Sequence, residues 1–193
     1  MTTDGTKDPR ILGDRRKALE EAFFARHERE LVARFRHRAE ETKRREALAR
    51  ASGISDPATL DRILALEIAP ETLAALTLAP LVAVAWADRS VETQERAAVS
   101  EAAEAIGVAP GSPAAELLES WLSRRPGPEL MEAWKAYVGA LAGSLDEGGR
   151  RQLREDLLSR ARRVAESAGG FFGVGTVSQA ERDLLDELEK AFE

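Results

Sequence analysis

Hydrophobic residues recur along this chain at three- and four-residue intervals, and nowhere do they alternate with polar ones for long enough to read as a strand. The prediction is therefore all-α. Asp14 suits the N-cap of a long helix reaching about Ala51, with Gly53 as its stop. At about 1.5 Å per residue this helix is a rod of roughly 55 Å. Its apolar positions, Leu19, Phe23, Phe24, Leu31, Val32 and Phe35, make one stripe that fades after Phe35, and Arg36 to Glu46 is nearly all charged. The first half is expected to dock on a core or on another chain and the second half to protrude.

Proline marks the helices that follow. Asp56-Pro57 and Ser112-Pro113 each pair an N-cap residue with a first-turn proline, and Pro70 and Pro80 suit the same position, where the missing N–H has no partner to lose; Pro126-Gly127-Pro128 reads as a stop. The stretch from Pro80 to Trp86 is apolar on nearly every side, which predicts a buried central helix ending in a short acidic turn. From that turn a second helix starts, with a small-residue face of Ala98, Ala102, Ala105 and Ile106 up to Gly107. Further stripes follow at Leu117, Leu118, Trp121 and Leu122, at Leu130, Met131, Trp134, Tyr137, Val138 and Leu141, and at Leu153, Leu157, Ala161, Val164 and Ala168. The last holds Leu184, Leu185, Leu188 and Phe192. The predicted organisation is a disordered tail over 1–13, a helical arm over 14–53 and a multi-helix bundle over 54–193.

At 193 residues and 44% hydrophobic content, the chain can bury one sizeable core. The absence of cysteine removes disulfides, thiolate zinc sites and a cysteine nucleophile from consideration. The polar start, Met1 to Gly13, lacks the apolar run of a signal peptide, and the longest uncharged run, Thr72 to Ala87, is too short to span a bilayer. The expected location is the cytoplasm; no transmembrane segment is expected, and peripheral membrane association stays open. Net charge is −6 but unevenly spread: Asp14 to Arg50 carries 12 basic against 8 acidic residues, and 51–193 carries 14 against 24. Such asymmetry marks a separate partner surface or a contact between segments.

Two helix starts share a local pattern, Val91-Glu92-Thr93-Gln94-Glu95-Arg96 and Val177-Ser178-Gln179-Ala180-Glu181-Arg182. In the second, Ser178 and Glu181 fit a capping box. At the first, Asp88, Glu92 and Glu95 lie within eight positions, and side chains three apart share a helix face. One reading brings all three carboxylates onto a hard cation, Ca²⁺ or Mg²⁺. The plainer reading, which the residues favour, has Glu92 and Glu95 complementing the helix dipole, with Asp88 as a cap or surface pair.

Ala87-Asp88-Arg89-Ser90-Val91 followed by Glu95, between an apolar helix and an alanine-rich one ending Ala-Ile-Gly, resembles the tellurite-resistance TerB-like family. The similarity covers roughly Pro70 to Phe192 and takes in Gly173 to Glu181 as a second turn. The resemblance implies an all-helical bundle, divalent metal held at acidic turns, and a role in bacterial stress response near the membrane. The family's Ala-Asp-Gly has Arg89 in place of glycine here, and its guanidinium could pair with Asp88 or Glu92 instead of a metal. A fainter likeness of Asp14 to Phe23 to the zeta inhibitor subunit of bacterial ATP synthases is one helix long and is treated as coincidence.

Other constellations carry less. Gly170-Phe171-Phe172-Gly173-Val174-Gly175 lacks the preceding strand and following Lys-Ser/Thr of a phosphate loop, and reads as a helix-ending turn. His27 and His37 stand roughly 15 Å apart on one helix, too far to share a metal. Lys43-Arg44-Arg45, with Arg34, Arg36 and Arg38, could touch phosphates, but interleaved Glu40, Glu41 and Glu46 make a solvated salt-bridge face, so nucleic acid is not the expected partner. No nucleophile and base pair can be named. The expectation is a non-enzymatic interaction or scaffold module whose Phe23, Phe24, Leu31 and Phe35 dock it on a protein partner or a second protomer. The alternative is a cation sensor using Asp88, Glu92 and Glu95.

Overall fold

Asp56 accepts hydrogen bonds from the Thr59 amide at 2.8 Å and the Thr59 hydroxyl at 2.7 Å, and Ser112 accepts from the Ala115 amide at 3.3 Å, so both Asx/Ser-Pro pairs start helices as their sequence predicts. The structure, a computed structural model, describes residues 9–168 and 179–190. Its helices are α1 (Pro9–Ser52), α2 (Pro57–Ala65), α3 (Leu73–Thr77) after a 3₁₀ turn at Pro70–Thr72, α4 (Ala79–Ala85), α5 (Thr93–Ala105), α6 (Pro113–Ser123), α7 (Glu129–Ser144), α8 (Glu147–Ala168) and α9 (Gln179–Lys190). No strand occurs among the described residues. None of these helices is long and apolar enough to cross a membrane.

The chain divides into two compact units, one up to Arg44 and one from Arg45 on. Two boundaries differ from those the sequence predicts. Helix α1 begins at Pro9, which suits a first helical turn, so Asp14 lies inside the helix and only 1–8 of the predicted tail remain outside the described residues. The bundle begins at Arg45 instead of 54, within the segment expected to protrude: Leu48 is fully buried in its core, and Arg45 pairs with Asp61 of α2. Gly53, with φ of 70°, then ends α1 by donating to the Ala49 carbonyl at 2.9 Å.

In the second unit, α4 is the hub. It packs against α3, α5, α6, α7, α8 and α9, and Ala79, Leu81, Val82, Val84 and Ala85 are buried. Trp134, Tyr137 and Val138 of α7, Leu118 and Leu122 of α6, Leu157, Ala161 and Val164 of α8 and Leu188 of α9 complete the core. On α5 the buried line is Glu95, Val99 and Ala103. The expected face of Ala98, Ala102 and Ile106 flanks this line half-buried, and Ala105 is exposed. Phe171, Phe172 and Phe192 lie outside the described residues.

The hub and the α1 stripe should respond oppositely to truncation. Leu81→Ala, at a 1% exposed position, is expected to cost about 2–5 kcal/mol in urea unfolding. Phe24→Ala, at a 67% exposed one, should stay within about 0.5 kcal/mol of the parent.

Candidate functional site

The turn joining α4 to α5 is held from behind. Trp86, at the end of α4, donates its indole N–H to the Trp121 carbonyl at 2.8 Å, and Arg96 of α5 donates to the Leu122 carbonyl at 3.0 Å while pairing with Glu119. Both acceptors belong to the last turn of α6, where carbonyls lack helical partners, so both arms of the turn are tied to one helix end. Within the turn, the Ala87 amide donates to Val84 at 2.9 Å and the Arg89 amide to Trp86 at 3.0 Å. Arg89 adopts φ of 70°, the left-handed conformation glycine takes without steric cost. An arginine here holds a backbone geometry that glycine adopts more readily.

The three predicted carboxylates divide. Glu95 turns inward, is 3% exposed, and its Oε2 accepts the Glu92 amide at 2.7 Å, closing the N-terminus of α5. Asp88 and Glu92 stay exposed. Among the described residues no three Asp, Glu or His side chains are grouped to hold a cation, and Arg89 makes no ion pair with Asp88 or Glu92. The turn therefore separates the three: Glu95 faces the backbone amide of Glu92, and Asp88 and Glu92 face solvent. Residues 169–178, including Ser178, lie outside the described residues.

A fourth carboxylate comes in its place. Glu181, third residue of α9, is also 3% exposed and lies close enough to Glu95 to repel its charge. Burial raises the Glu95 carboxyl from the ordinary value of 4.5 to about 7; the Glu92 amide opposes this, and the charges of Glu181, Glu92 and Asp88 add to it. The two matching Glu-Arg helix starts therefore meet in space through their glutamates. Their shared pattern was the available signal, but each reads alone as a cap, and sequence separation hides the convergence.

The first unit presents another surface. Phe23, Phe24 and Phe35 are 66%, 67% and 61% exposed, and Leu31 and Val32 are exposed beside them. Phe23 meets Phe24 edge-to-face at 5.9 Å and stacks on His27 at 6.4 Å. Nearby, Lys43 pairs with Glu40 at 3.1 Å and His37 Nδ1 lies 3.4 Å from Glu41 within the same helix. Compared with known proteins, the chain matches no family model, no curated protein and no solved structure.

Two predictions concern the turn. Between about pH 4.5 and pH 7 the folded chain holds a proton on Glu95 that the unfolded chain has released, so stability falls as pH rises through this window and levels off above it. Glu95→Gln keeps an acceptor for the Glu92 amide and removes the titration. Urea midpoints should lose that slope, with the variant more stable than the parent above pH 7 by on the order of 2 kcal/mol. Arg89→Gly relieves the left-handed strain and is expected to raise stability by about 0.5 kcal/mol in thermal unfolding, whereas Arg89→Val should lower it.

Proposed function

We propose that the chain is a non-enzymatic helical interaction module of the TerB-like type, with the apolar face of α1 as its docking surface. One observation carries the reading: three phenylalanines stand more than 60% exposed on a helix unit among whose described side chains none is buried. Exposed aromatic clusters of this kind mark interaction sites, because aromatic anchors supply much of the affinity of protein interfaces. The glycine-like φ of Arg89, in a turn between an apolar helix and an alanine-rich one, supports the TerB-like likeness and with it a role in bacterial stress response. A cation sensor at Asp88, Glu92 and Glu95 has less support, since Glu95 faces inward as a cap and the other two face solvent.

The test is a paired Phe24→Glu, Phe35→Glu variant of the full chain. Far-UV circular dichroism and the urea midpoint are expected to stay at parental values, while capture of partner protein from the native host falls by at least about tenfold. Undiminished capture by the variant would remove α1 from the docking surface.

A further inference from the structure

The charged groups of α1 are sorted around its apolar face. At about 100° per residue, Phe24, Leu31, Val32 and Phe35 fall within roughly 100° of the helix circumference and run for about 17 Å along it. Phe23 lies outside this arc and meets Phe24 edge-to-face. With Phe35 as the centre, Arg34 and Arg38 border one edge, about 100° and 60° away, and Arg36 borders the other at about 100°. All three arginines are exposed, and none makes an ion pair among the described residues. Glu30, Glu40 and Glu41 lie roughly 120–140° from Phe35, on the far side. There Glu30 pairs with Arg26 at 3.0 Å, Glu40 with Lys43, and Glu41 lies beside His37. Among the described positions up to Arg44, Glu28 is the one carboxylate on the apolar arc.

An apolar strip with unpaired arginines along both edges and carboxylates behind suits a helix lying in the plane of a lipid surface. Aromatic and aliphatic side chains enter the acyl boundary, while arginine stems lie along it and hold their guanidinia among headgroup phosphates. Cations on both edges reach one plane, so a flat anionic surface meets Arg34, Arg36 and Arg38 at once. A protein groove reaches the same groups only with carboxylates placed along both of its rims. The charge of the two units agrees. Residues 1–44 hold 12 basic against 9 acidic residues and 45–193 hold 16 against 25, so it is the first unit that carries the sign anionic lipid attracts.

We infer that the α1 face docks on an anionic lipid surface, lying in its plane through Phe24, Leu31, Val32 and Phe35. This rests on the reading of α1 as the docking surface and names its occupant. In co-sedimentation, the full chain is expected to bind phosphatidylcholine vesicles holding roughly one-third phosphatidylserine, and to bind pure phosphatidylcholine at least about tenfold more weakly. Added salt should weaken the anionic binding. Arg34→Gln with Arg38→Gln should lower the partition coefficient by on the order of tenfold, and Phe24→Ser with Phe35→Ser by at least as much, with far-UV circular dichroism unchanged. Glu28→Gln, which takes the carboxylate off the arc, should raise it. Equal binding to both vesicles, indifference to the arginines, or tighter attachment to duplex DNA that ignores both phenylalanines would overturn the inference. So would failure to bind either vesicle. The docking surface then stands if capture of host protein still depends on Phe24 and Phe35, and falls as well if that capture is indifferent to them.

Discussion

A helix of seven residues cannot hold itself together in water, where isolated helices need about twice that length. Helix α4 exists because six other helices cover it, and its sequence permits this because Leu81, Val82, Val84 and Ala85 leave it no polar side. The dependence runs both ways. Each surrounding helix is amphipathic, so its apolar stripe needs a partner surface, and α4 supplies one in every direction. The turn that follows α4 inherits its position from this arrangement, since the backbone leaving a fixed helix has little freedom before Trp86 and Arg96 fasten it to α6.

That fixed turn explains how a carboxylate comes to be buried beside a second one. Glu95 and Glu181 are each third residues of their helices, where a carboxylate faces unsatisfied amides and the positive end of the helix dipole. Each is favourable to its own helix. Packing α4 against both α5 and α9 brings the two helix starts together, and the mutual repulsion follows from that packing. Burial is the main reason the Glu95 carboxyl is raised, and repulsion from Glu181 adds to it; protonation relieves both while leaving one oxygen to accept the Glu92 amide.

The helices were legible in the sequence because their signals are local. Proline at a first turn, Asp or Ser before it, and stripes at helical spacing each act within a few residues, and Asp56, Ser112 and the Leu130 to Val138 stripe behave accordingly. Depth of burial was less legible. Leu48 is a lone leucine in a charged stretch, with no periodic neighbour to declare it, yet it is fully buried because α1 runs into the bundle there. The separation of Glu95 from Asp88 and Glu92 was hidden for a similar reason. Spacing places three carboxylates near one turn, but the choice between facing a cation and facing a backbone amide depends on what the neighbouring helices leave open.

Helix α1 poses the complementary question, since one continuous helix serves two surroundings. Its last turns contribute Leu48 to the core, whereas its middle leaves Phe23, Phe24 and Phe35 in water. At roughly 25 cal/mol per Å², that exposure forgoes several kcal/mol that burial would return. The core from Leu48 to Leu188 is built from residues of the second unit, and the strip is not among its members. A single helix thus holds both fully buried and largely exposed apolar positions: substitutions at Phe23, Phe24 or Phe35 change exposed surface, while substitutions on α4 reach the centre of the second unit's core.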